Sequence, residues 1–74
     1  MLYRHYKGGL YRTLSEVACH SETGEEMVVY MSVETGKVWV RPSKMFHESV
    51  IDDGSIVPRF RDLGRFQSEK VGEK

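Results

Sequence analysis

The sequence predicts a mainly β fold, and three observations predict it. Short runs rich in Val, Tyr, Met and Trp are separated by turn signals at roughly ten-residue spacing. One of them, Glu26 to Val33, alternates strictly, with Met27, Val29, Met31 and Val33 on one parity. The chain has 74 residues, which makes one domain with a core too small to spare apolar side chains for a deep pocket. Together these give an SH3-like half-open barrel of about five short strands with at most one short helical turn. The single β domain spans residues 1–63, and residues 64–74 form a flexible charged C-terminal tail.

Leu2 to Lys7 is aromatic and β-compatible, and the Gly8-Gly9 pair turns the chain. From Leu10 to His20 the apolar positions change parity once, from Leu10 and Leu14 to Val17 and Cys19. A bulge near Ser15-Glu16 repairs the alternation in a strand. A short helix also accommodates Leu10, Leu14, Val17 and Ala18, but Tyr11, Thr13, Val17 and Cys19 are better strand formers.

Ser21 to Glu25 is a polar turn leading into the Glu26 to Val33 strand. A hairpin follows. With Thr35-Gly36 as a two-residue loop, Val33 faces Val38, Ser32 faces Trp39, Met31 faces Val40 and Tyr30 faces Arg41. The hydrophobic pattern then assigns Met31, Val33, Val38 and Val40 to the core, and Tyr30, Ser32, Trp39 and Arg41 to the opposite side. A type I turn with Gly36 as the bulge residue spares the β-branched Thr35 a positive φ but slips the pairing by one. Arg41-Pro42 ends the strand, because proline lacks a ladder donor. Ser43 to His47 fits one helical turn, Asp52-Asp53-Gly54 another turn, and Ser55 to Phe60 an edge strand marked by Pro58.

Composition narrows the partners. Eleven basic and eleven acidic residues cancel, and a pI near 6.8 lacks the basic footprint of a non-specific nucleic-acid binder. The single Cys19 forms no internal disulfide. Met1 to His5 holds neither the apolar core of a signal peptide nor a membrane span, so the expected location is the cytoplasm, with no membrane partner.

Several segments, taken together, resemble a known family: His5-Tyr6-Lys7-Gly8 with Tyr11, then Ala18 to Glu25, Val28-Val29-Tyr30, Trp39-Val40-Arg41-Pro42 and Met45-Phe46. The chain is similar, over residues 3 to 61, to a small bacterial domain-of-unknown-function family, number 1653 in that series. The resemblance implies an SH3-type barrel and implies no activity.

Candidate chemistry is sparse. His20-Ser21-Glu22-Thr23-Gly24-Glu25 gathers an imidazole, two hydroxyls and two carboxylates, a set that serves either a metal or a hydrolase, or else simply satisfies a turn. Cys19 and His20 are adjacent, so a strand points them to opposite faces. No nucleophile elbow or nucleotide-binding glycine loop occurs, and Cys19, flanked by Val17 and Ala18, reads as a small buried hydrophobe in preference to a dyad partner of His5, His20 or His47. Catalytic residues, metal and cofactor are therefore not assigned. Met45 and Phe46 beside Pro42 read as a barrel plug in preference to a peptide-docking ridge.

Aromatics interleaved with cations are the stronger pattern: Tyr3 to Lys7, Tyr11-Arg12, Trp39-Val40-Arg41, Arg59-Phe60-Arg61 and Arg65-Phe66. Residues 37 to 47 carry Lys37, Arg41 and Lys44 without an acid, whereas 21 to 36 carry four glutamates without a base. Such rings either fill a small core, with the cationic stems covering them, or form a binding face. The function expected is a non-enzymatic module recognising a protein or peptide segment, or its own copy, through Tyr6, Tyr11, Tyr30, Trp39 and Arg41. The first alternative is single-stranded RNA binding through the same rings, with Arg4, Lys7, Arg41, Arg59 and Arg61 on phosphates, a reading the neutral net charge disfavours. The second alternative is a small hydrolase or metal protein using His20, Glu22 and Glu25.

Overall fold

The computed structural model describes residues 1–64. The tail expected over 64–74 lies outside them except for Gly64, and Arg65 and Phe66 lie outside them too. Seven strands and one helical turn follow one another: β1 (Leu2–His5), β2 (Leu10–Cys19), β3 (Glu26–Ser32), β4 (Val38–Pro42), α1 (Ser43–Phe46), β5 (Ser49–Asp52), β6 (Ser55–Pro58) and β7 (Phe60–Gly64). β4-β3-β2-β1-β7 make one antiparallel sheet, and β5-β6 make a separate two-stranded ribbon. The fold is mainly β, as expected. The large sheet has five strands, with β4 and β7 as its edges, and it is not closed into a barrel.

The long β2 is a strand because its pairing absorbs the change of parity. Thr13 sits opposite Tyr30, Ser15 opposite Val29 and Ala18 opposite Met27, so one extra residue enters on each side of Ser15. The expected bulge near Ser15-Glu16 is thus present, and doubled. The second irregularity leaves Cys19 at the end of the sheet, exposed and not buried as the sequence suggested.

Two loops of one design connect β2 to β3 and β3 to β4. In the first, His20 donates its amide to the Glu25 carbonyl and Gly24 donates to the His20 carbonyl, both at 2.8 Å. In the second, Ser32 donates to the Lys37 carbonyl and Gly36 to the Ser32 carbonyl, both at 2.9 Å. Each glycine takes a positive φ, +76° at Gly24 and +79° at Gly36. Hydroxyls Oγ1 of Thr23 and Thr35 accept the amides of Glu25 and Lys37. The β3-β4 connection is therefore longer than the expected Thr35-Gly36 pair, and Thr35 escapes positive φ. Tyr30 faces Trp39, Met31 faces Val38 and Val29 faces Val40. This register differs by two residues from the two-residue-loop expectation, and a slip of two preserves which side chains share a face.

What the slip does not decide is which face is covered, and here the expectation is reversed. Tyr3, Val28, Tyr30, Phe46 and Phe60 are the buried hydrophobic residues, with Ser32 buried beside them. Val38 and Val40 are 57% and 58% exposed, Val33 is exposed, and Met31 is only half-buried. The aliphatic side of the β3-β4 ribbon thus faces out and the Tyr30 side faces in. The cause lies downstream. Pro42 ends β4 and the α1 turn carries Phe46 over the ring-bearing side, where it is 0% exposed.

The core is an aromatic stack. Phe46 lies parallel to Phe60 with ring centroids 4.1 Å apart, and meets Tyr3 and Tyr30 edge-on at 5.0 and 5.2 Å. Offset and edge-to-face pairs of this kind add stability beyond the area they bury. Phe46 thereby serves as the plug, while Met45 is exposed. The β5-β6 hairpin turns at Asp53-Gly54, both with positive φ. β5 itself is a strand the sequence reading did not anticipate. Arg59 ties this segment down: its Nε donates to the Met45 carbonyl at 3.1 Å, and its guanidinium pairs with Glu48.

Candidate functional site

The covered face of the sheet remains open at one end, and there the side chains line a pocket of about 190 Å³ formed by His5, Tyr11, Tyr30, Trp39, Arg41 and Phe60. Strand register assembles it. Tyr30 is directly opposite Trp39 on β3 and β4, His5 opposite Phe60 on β1 and β7, and Tyr11 lies on β2 between them. Arg41, two residues after Trp39, shares its parity and projects to the same side.

Four of the five residues expected to bind a ligand are brought together in this pocket: Tyr11, Tyr30, Trp39 and Arg41. Their exposures differ widely. Tyr30 belongs to the core and offers the pocket its floor, Tyr11 and Arg41 are half-buried, and Trp39 is 49% exposed at the rim. The expected outward face of rings and guanidinium is therefore the mouth of the interior, not the reverse side of the sheet. Tyr6 is not among the lining residues. Its ring lies 4.8 Å from that of His5 and borders a neighbouring cleft of about 430 Å³ with Arg4, Asp52, Pro58 and Arg61.

His5 and Phe60 are pocket residues the sequence reading did not single out. The parity of Tyr3 and His5 in β1, and the cation-flanked Phe60, were the available signals. His5 Nδ1 accepts the Lys7 amide at 3.1 Å, which requires that nitrogen to be unprotonated. Burial lowers the His5 pKa from its ordinary value, and the positive charges of Arg41, Arg59 and Lys7 lower it further. The pocket is accordingly electropositive without a charged imidazole.

Two lysines lie over aromatic rings of this region. Lys37 Nζ lies 6.0 Å from the Trp39 ring centroid, and Lys7 Nζ lies 5.7 Å from that of Tyr6. Arg41 donates Nε to the Tyr30 hydroxyl at 3.3 Å. Among the described residues the ion pair present is Arg59 with Glu48, so Arg41 has no carboxylate partner there. Of the five cations considered for phosphate contact, Arg41 lines the pocket and Arg59 is held by Glu48. Arg4 and Arg61 face each other across β1 and β7 on the opposite side of the sheet from Tyr3.

The acidic turn offers different chemistry from that considered for it. His20 Nδ1 accepts the Glu22 amide at 3.1 Å, so the imidazole and the Thr23 hydroxyl both serve the loop backbone. Among the described residues no three His, Cys, Asp or Glu side chains are grouped to hold a metal ion. No described helix is long and apolar enough to cross a membrane.

Comparison with known proteins agrees with this architecture. The model of a family described as a protein of unknown function, DUF1653, matches residues 1–62. A crystal structure of a DUF1653 protein from Bordetella bronchiseptica is 32% identical in sequence. Its TM-score is 0.79, and the match covers 88% of this chain and 86% of that one. No curated protein matches the chain.

Proposed function

The chain belongs to the DUF1653 family, and we propose, on the geometry of its pocket, that it is a non-enzymatic binding module that recognises a protein or peptide segment. The observation that carries this reading is the pocket itself. Four aromatic rings and an imidazole surround one half-buried guanidinium, and among the described residues no acidic side chain lines the space. Flat rings offer large contact area at low conformational cost, and an Arg among them is the composition that dominates binding energy at recognition sites. Nothing in the pocket forms a nucleophile with its base. Tyr11, Tyr30, Trp39 and Arg41 would make the contact, with Tyr6 extending it beyond His5.

Trp39 is the only tryptophan in the chain, so its fluorescence reports occupancy directly. An arrayed set of extended peptides is screened, and binders are titrated against the full chain. The expected result is saturable quenching or a blue shift, with the affinity by isothermal calorimetry, which needs no tryptophan, weakened about tenfold or more by Trp39→Ala and by Arg41→Ala while the circular dichroism spectrum is kept. If no peptide perturbs Trp39, the proposal fails. If oligonucleotides do so instead, with affinity falling steeply as salt rises, the site serves nucleic acid.

A further inference from the structure

We infer that the pocket takes the free carboxylate of an apolar group, with Arg41 as its anchor and the rings of Tyr11, Trp39 and Phe60 around the apolar part. This rests on the binding reading above and names the ligand chemistry of the same site. Three observations point to it.

The first is the guanidinium, which has no ion pair among the described residues. Arg41 is half-buried, it spends one of its five N–H groups on the Tyr30 hydroxyl, and no other hydrogen bond or ion pair engages it among the described residues. A charge withdrawn from water without a partner costs free energy, which an anion of matching geometry recovers. The bond to Tyr30 uses Nε and leaves the two Nη groups, a coplanar pair of donors that matches a two-oxygen acceptor.

The second is the sign of the surroundings. The six lining residues include no Asp or Glu, Lys37 stands over the Trp39 rim, and Lys7 and Arg59 lie close enough to His5 to bias it toward neutrality. An anion entering here meets the Arg41 guanidinium and no repulsion from the lining groups.

The third is size. About 190 Å³ is smaller than the roughly 300 Å³ at which pockets for drug-sized ligands begin. A base, sugar and phosphate together exceed it, whereas one large apolar side chain with an adjacent carboxylate is on its scale. An internal Asp or Glu supplies the charge but leaves the rings without an apolar partner. A terminal Leu or Phe supplies both from one Cα. The same chemistry is offered by the C-terminus of a chain or by a free apolar acid, and the experiment separates them.

The probes are N-acetyl-phenylalanine, its amide, and a pentapeptide ending in Phe as free acid and as amide. Each is titrated against the full chain by Trp39 fluorescence and by isothermal calorimetry. The acids are expected to bind about tenfold or more tightly than the amides, the range of a charge-assisted hydrogen bond. Arg41→Gln, which retains a donor for Tyr30, is expected to erase that preference. Trp39→Ala weakens acid and amide alike. A pentapeptide acid that outbinds the acetylated residue identifies a chain terminus, and equal affinities identify a free small acid. Acid and amide binding equally, or neither binding while internal peptides do, overturns the carboxylate inference and leaves the binding module standing. Failure of every peptide and acid to bind removes the module itself.

Discussion

Tyr3 is buried in the core, yet its hydroxyl lies 3.4 and 3.5 Å from the two carboxylate oxygens of Glu16, and Asp62 is its cross-strand neighbour on β7. Burial first, then the charges of Glu16 and Asp62, push its pKa from 10.0 up to about 12. The folded state therefore keeps a proton that the unfolded chain releases near pH 10. Stability from this group is complete below about pH 10 and is lost as the pH rises toward 12. Tyr3→Phe keeps the ring against Phe46 and gives up only one long, bifurcated hydrogen bond, so at pH 8 it is expected to cost under about 1 kcal/mol. Urea titrations at pH 8 and pH 11.5 should show the wild type losing more stability than Tyr3→Phe between the two. His5 has the opposite sign. Its lowered pKa means that the unfolded state binds the proton first, so its contribution is present above about pH 6.5 and drains away below it. Protonation also removes the acceptor for the Lys7 amide. His5→Gln is expected to flatten the acid limb of the stability curve between about pH 6.5 and 5; an unchanged limb would place the acid sensitivity elsewhere.

Elements were legible where local chemistry decides them. The tripeptide Glu-Thr-Gly occurs twice, at 22–24 and 34–36, and both copies build the same loop, with the threonine hydroxyl accepting an amide and the glycine at positive φ. Recognising that repeat would have replaced the two-residue Thr35-Gly36 loop by the longer one. Its consequence for the pocket was small, because the register moved by an even number and Tyr30, Trp39 and Arg41 stayed on one face. The bulged β2 was legible from its broken alternation. β5 was not, because the adjacent Val50 and Ile51 do not alternate, and its partner is the neighbouring β6 and not the main sheet. Neither loop glycine has a heavy atom within 4 Å of where a Cβ would stand, so substitution there tests backbone conformation alone. Gly24→Ala and Gly36→Ala should each destabilise by about 1–2 kcal/mol, and by nearly the same amount. Denaturant midpoints of the two variants that differ widely would show that the loops are not equivalent.

At the scale of the whole molecule, alternation says which side chains share a face and is silent on which face the rest of the chain covers. Met31, Val38 and Val40 look like a core in isolation, and β-branched residues suit a sheet whether covered or not. The decision belongs to α1 and β7, which deliver Phe46 and Phe60 to the ring-bearing side, and only large rings fill the space between one sheet and a single helical turn. The same choice makes the pocket, since the covered face carries Tyr30 inward and leaves Trp39 and Arg41 at its open end. The inversion has an energetic signature. Phe46→Ala removes a ring that touches Tyr3, Tyr30 and Phe60 at once, and is expected to cost about 3–5 kcal/mol. A domain with a total margin of roughly 5–15 kcal/mol is left close to unfolding by such a loss. Val40→Thr on the exposed aliphatic side should stay within about 0.5 kcal/mol of wild type. Urea unfolding followed by far-ultraviolet circular dichroism measures both. A tolerated Phe46→Ala beside an unfolded Val40→Thr would mean that the aliphatic side is the core, and the Arg41 pocket would then have no floor to stand on.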